Sequence, residues 1–152
     1  MTDQLEWDAP IAVRTVRHPG ALVVQVEGEI DLDTCDRVRA EVVDRLAERP
    51  GALVLDLNGV VVFGSIGLSL LIEVRHRAEA RGVPFAVAAD RRVVLRPLVE
   101  TGVFDLLVVR PEASEAVSAA REARRLLLGV APSRSEVVEN PFDPGVPQVS
   151  AG

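Results

Sequence analysis

The sequence is poor in several things at once. Aromatic residues fill 3% of its 152 positions, and lysine is absent: all 17 basic residues are arginine, which reads as base-composition bias of the genome rather than mechanism. A core without aromatics must be aliphatic, and an apolar fraction of 48% is enough to build one from Val, Leu, Ile and Ala. The single cysteine, Cys35, excludes an intramolecular disulfide, and no Cys/His cluster has metal-ligand spacing. No apolar run approaches the ~20 residues of a membrane-spanning helix. The N-terminus is acidic and lacks the basic region and apolar stretch of a signal peptide, so a cytoplasmic setting is expected.

Net charge is −6, and most of it lies at the ends. Residues 1–10 carry Asp3, Glu6 and Asp8 with no base, and residues 129–152 carry three acids and one Arg, which leaves −1 on residues 11–128. A near-neutral body of mixed sign argues against nucleic acid as the partner. Residues 1–10 read as a flexible leader, 11–128 as one domain, and 129–152, with four prolines among small and polar residues, as a disordered tail.

Hydropathy periods order the domain. Ile11–Arg17 alternates apolar and polar as a half-buried strand does, His18-Pro19-Gly20 is a turn signal, and Ala21–Gly28 resumes as a strand. A helix then starts near Asp33 or Thr34, either able to cap it, with Cys35, Val38, Val42 and Leu46 on one face. Ala52–Leu57 is almost continuously apolar, the mark of a central strand covered on both faces. A helix over Ser65–Arg81 turns Gly67, Leu70, Leu71, Val74 and Ala78 inward, with Ser65 as its cap. Val83–Ala88 is the next strand. Asp90 caps a short helix ending at Thr101-Gly102, which Pro97 should break or kink. Leu106–Val109 reads as a short strand and Pro111–Leu128 as a final amphipathic helix. The order β-β-α-β-α-β-α-β-α predicts an α/β domain with a mostly parallel sheet and its first strand, from the N-terminal hairpin, at an edge.

Four stretches, VEGEIDLDT (26–34), LVLDLNGVVVFGSIGLSLL (53–71), GVPFAVA (82–88) and LVETGVFDLL (98–107), carry a resemblance to the STAS domain of bacterial anti-sigma factor antagonists. That family's loop usually reads D-S-[ST]-G-L, and its second hydroxyl residue is phosphorylated by a partner serine kinase that doubles as an anti-sigma factor. Aligned on Gly67-Leu68, this chain has Gly64 for the Asp, Ser65 for the first Ser and Ile66 at the phosphoacceptor position. Isoleucine has no nucleophilic oxygen and mimics the neutral, binding-competent state. The resemblance implies a module that binds an anti-sigma factor/serine kinase through Asp31, Asp33, Thr34, Gly64, Ser65, Ile66 and Gly67. It implies no cofactor, metal or catalytic residue, and leaves Ser65 as a substitute phosphoacceptor. An accessory subunit of a transporter or regulatory assembly is the nearer alternative.

A small serine hydrolase is the distant alternative. A strand, a tight turn, a serine and a helix form the setting of a nucleophile elbow, but Phe63 stands where G-x-S-x-G needs its first glycine. His76 lies eleven residues beyond Ser65 on the same helix, about 16 Å along the axis, too far to act as its base. His18 is placed in the first turn. Gly59 and Gly64-Ser65 have the glycine spacing of a phosphate-binding loop without its Lys, and with Ile66 where Ser or Thr belongs. Asp31, Asp33 and Asp56 read as capping and loop-orienting carboxylates before anything else.

Overall fold

Two alternating segments joined by Pro19-Gly20 form an antiparallel hairpin, β1 (Ile11–His18) and β2 (Ala21–Glu29), with Ile11 opposite Gly28 and His18 opposite Ala21. The computed structural model describes residues 11–127; the expected leader and tail lie outside the described residues. β3 (Leu53–Val62), β4 (Phe85–Ala88) and β5 (Val109–Arg110) then add in parallel, giving one sheet in the order β1-β2-β3-β4-β5. The hairpin strand β1 is at the edge, as the element order requires.

Successive residues of a strand face opposite sides of the sheet, and the two sides are built differently. On one side α1 (Cys35–Ala47), α2 (Ser65–Ala80) and α3 (Arg92–Thr101) bring Val38, Val42, Leu46, Leu70, Leu71, Val74, Val94 and Leu98 onto Val24, Leu55 and Val87. On the other, α4 (Ala113–Leu127) sets Ala116, Val117 and Ala120 on Ala21, Val23, Ala52, Val54, Ala86 and Ala88. The faces expected of α1 and α2 are the buried ones.

β3 is longer than its apolar run suggests. Its register against β2 slips twice: Gln25 faces Asp56 but Glu27 faces Gly59, and Gly28 faces Val60 but Glu29 faces Val62. Each slip is an extra residue in β3, a bulge that bends the strand and re-aims the residues beyond it. β4 pairs only with Leu53–Asp56, so residues 57–62 run on past it along β2.

Three local expectations are corrected. The segment expected as a strand over Leu106–Val109 divides into a 3-10 helix (Val103–Leu106) and the two-residue β5, because ladder pairing with β4 is confined to Val109 and Arg110. Pro97 does not break α3, which runs through it; the ring removes one N–H, the donor to the Val93 carbonyl. Asp90 does not cap α3: the cap is Arg91, and the Asp90 N–H is donated to Asn58 Oδ1 at 2.7 Å.

Candidate interaction surface

Two loops leave the same end of the sheet side by side. The Ile30 N–H donates to the Val62 carbonyl at 2.9 Å, which ties the β2–α1 loop to the tip of β3 just before the β3–α2 loop.

The β2–α1 loop is organised by Asp31. Its Oδ1 accepts the N–H groups of Asp33 at 2.9 Å and Thr34 at 3.1 Å, an Asx turn that satisfies donors ahead of the helix. Thr34 is the backbone cap of α1 but does not cap it through its side chain. Its hydroxyl accepts the Asp31 N–H at 3.0 Å and donates to the Glu29 carbonyl at 2.6 Å. Thr34 is 3% exposed, so it holds the loop from beneath. Asp33 and Leu32 stand outside, Leu32 at 74% exposure.

The β3–α2 loop corrects the reading of Ser65. The cap of α2 is Gly64, at φ 107° and ψ −161°, and Ser65 is the first helical residue, exposed to solvent. Leu68 N–H donates to the Gly64 carbonyl at 3.0 Å and closes the first turn. A side chain on Gly64 would meet no atom within 4 Å, so the constraint there is conformational: this part of φ/ψ space belongs to glycine. Ile66 is partly buried and packs against the larger core. Gly67 is buried beneath Phe63, whose ring carbons would lie under 3.0 Å from a Cβ at that position.

Of the seven residues expected at the surface, Asp33, Gly64 and Ser65 are exposed, Asp31 and Ile66 are half-buried, and Thr34 and Gly67 are buried. Sequence reasoning did not single out three exposed apolar residues nearby. Leu32, Val61 at 53% exposure and Val62 at 41% flank the two loops. For the two valines the signal was present in the run Val60-Val61-Val62, which reads as loop unless the bulged extension of β3 is known.

Asn58, at the first bulge, was also missed. Its N–H donates to Asp56 Oδ1 at 3.0 Å, its Nδ2 to the Pro111 carbonyl at 2.9 Å, and its carbonyl accepts from Arg91 at 3.2 Å. With the bond from Asp90, these join the chain leaving β3, β4 and β5 at one point.

The nucleophile reading of Ser65 finds no base. His76 is exposed three turns further along α2, and His18 closes β1 at the opposite end of the sheet, half-buried. Among the described residues no group of three or more His, Cys, Asp or Glu could hold a metal ion, and no helix is long and apolar enough to cross a membrane.

Residues 12–116 match the family model of the STAS domain. The chain belongs to the STAS domain family. Among proteins similar to this STAS domain are two from Mycobacterium tuberculosis. The anti-sigma-F factor antagonist RsfB is 35% identical over 88 residues, covering 58% of this chain and 71% of the relative. The anti-sigma-F factor antagonist RsfA is 30% identical over 105 residues, covering 67% of this chain and 81% of the relative. A solved structure of an anti-sigma factor antagonist from Mycobacterium paratuberculosis superposes with a TM-score of 0.68 at 32% identity, over 73% of this chain and 94% of that one. The STAS match spans both loops and stops inside α4.

Proposed function

We propose that this STAS domain is an anti-sigma factor antagonist, a cytoplasmic protein-interaction module that binds a serine kinase/anti-sigma factor and so regulates sigma-factor-dependent transcription. The observation that carries the reading is the exposure of Leu32, Val61 and Val62 on the segments leading into and beside Gly64–Ile66, on a chain similar to anti-sigma factor antagonists. Apolar side chains gathered at one end of a sheet favour contact with another protein. Asp31 and Asp33 frame that contact, and Thr34 and Gly67 support it from below. The module works by binding, with no chemistry of its own.

Ile66 sets its regulation. A phosphate would add about −1.5 to −2 charges in the middle of an apolar contact and drive it apart. Isoleucine cannot accept one. The protein therefore binds its partner constitutively, and control rests on its abundance or on another subunit.

Three proteins test this: wild type, Ser65→Ala and Ile66→Ser, each incubated with the cognate anti-sigma kinase and ATP. The expected outcome is a stable complex with unphosphorylated wild type and phosphate gained by Ile66→Ser. Phosphate on wild type that disappears in Ser65→Ala transfers the switch to Ser65. Binding by none of the three ends the antagonist reading for that kinase.

A further inference from the structure

The segment Phe63–Gly67 is held at two points that the family motif does not explain. One is Gly64, whose backbone lies in a region reserved for glycine. The other is Phe63. Its side chain is 7% exposed and belongs to the larger core, and its ring lies so close against the first turn of α2 that a methyl group on Gly67 would come under 3.0 Å from Cδ1, Cε1 and Cζ. Real Cβ contacts do not reach such distances, so ring and helix backbone are in direct contact with no side chain between them. Ser65 and Ile66 lie between Gly64 and Gly67, where the ring makes its contact.

We infer that Phe63 is the positioning residue of the recognition turn: its ring, wedged under Gly67, sets how far the first turn of α2 stands from the end of β3, and thereby where Ser65 and Ile66 meet a partner. Phe63 itself is buried and touches no partner. The role given to Ser65 and Ile66 rests on the antagonist reading above, whereas the wedge itself does not.

The physical basis is packing density. A planar ring in a close-packed interior admits little displacement of what lies against it, and the adjoining residue is a glycine that leaves no room for slack to be taken up by a side chain. Leucine at position 63 removes the flat face and leaves a gap under Gly67. Alanine at position 67 pushes the turn outward. Together they refill the space, so the double variant is expected to be closer to wild type than either single.

Amide hydrogen exchange on the full chain tests this, comparing Phe63→Leu, Gly67→Ala and the double variant. In each single variant the amides of Leu68, Ser69 and Leu70, which bond back to the first turn, are expected to exchange at least about tenfold faster. Val42 in α1 and Leu55 in β3 keep their wild-type protection. The double variant recovers most of the loss. Unchanged exchange at Leu68–Leu70, an equal rise at Val42 and Leu55, or additive effects in the double variant each overturn the inference. Should Gly67→Ala fail to fold, Phe63→Leu decides alone by the contrast between Leu68–Leu70 and the other two amides. Affinity for the anti-sigma kinase is measured in parallel and is expected to fall about tenfold in Phe63→Leu. Wild type that fails to bind removes the antagonist reading and leaves the exchange result standing.

Discussion

Arg39 Nε of α1 stands 3.0 Å from both carboxylate oxygens of Glu73 on α2. Arg77, one turn further along α2, donates to Glu73 Oε2 at 2.8 Å, and Arg39 also pairs with Asp36. Glu73 thus bridges the two helices whose N-termini adjoin the candidate interaction surface. Sequence periodicity places Glu73 facing outward; it is half-buried, because α1 lies beside it.

Burial alone would raise the Glu73 pKa, but hydrogen bonds from Arg77 and Arg39, with their charges, outweigh it and hold it below the ordinary 4.5. A carboxylate whose folded pKa is depressed contributes stability above its unfolded pKa and loses it as pH falls through the folded value. Glu73→Gln is therefore expected to be less stable than wild type near neutrality, by about 1 kcal/mol or less for a pair this accessible. The gap should close below pH 4.5. Thermal unfolding of both proteins across that range checks it, and a gap independent of pH would rule out the bridge as its source.

Asn58→Ala removes the side-chain bonds to Asp90 and Pro111 together. A loss of about 0.5–1.5 kcal/mol is expected, since both bonds are exposed and water can serve the groups released. Asn58→Asp keeps an acceptor for the Asp90 N–H and loses the donor to Pro111, so it should fall between wild type and Asn58→Ala in chemical denaturation. Equal losses in the two variants would place the effect in β3 itself.

Leu55 and Leu71 are 0% and 1% exposed, one on the central strand and one on the helix above it. Truncating either to alanine should cost about 2–5 kcal/mol, depending on how far the surroundings collapse. Equilibrium denaturation gives the number directly. Losses the size of a surface substitution at both positions would contradict this packing.

Ser65→Ala should change stability by less than about 0.5 kcal/mol, since Gly64 is the helix cap and Ser65 is exposed. Neither wild type nor the variant should hydrolyse esters or nucleotides above background. Turnover that vanishes with Ser65→Ala would restore the hydrolase reading.

The legible parts of this fold are those encoded within one element. The i, i+4 spacing of Val38, Val42 and Leu46 identifies the buried face of α1, and the alternation in β1 identifies a half-buried strand. What stays hidden depends on neighbours far along the chain. Asn58 joins residues 32 and 53 positions away, which no local pattern announces. Val60–Val62 continue β3 only because β2 extends to Glu29 and supplies partners. The cap of α2 escapes sequence reading because a hydroxyl is the commoner choice, whereas this turn uses a glycine conformation that hydropathy does not record. At the candidate surface Asp31, Asp33, Thr34, Ser65 and Ile66 enter through the family resemblance, and Leu32, Val61 and Val62, which that resemblance does not mark, do not.

The two faces of the sheet have unequal grip. Three helices clamp one side with leucine and valine, while α4 rests on a floor made largely of alanine methyls. Apolar stabilisation grows with the area covered, so a single methyl contact under α4 is worth less than a leucine or valine contact on the three-helix side. α4 is nonetheless the one helix among the described residues on its face, so its departure would uncover Val23 and Val54, both fully buried. The sheet is thus held by three helices on one face and hangs on a single helix on the other.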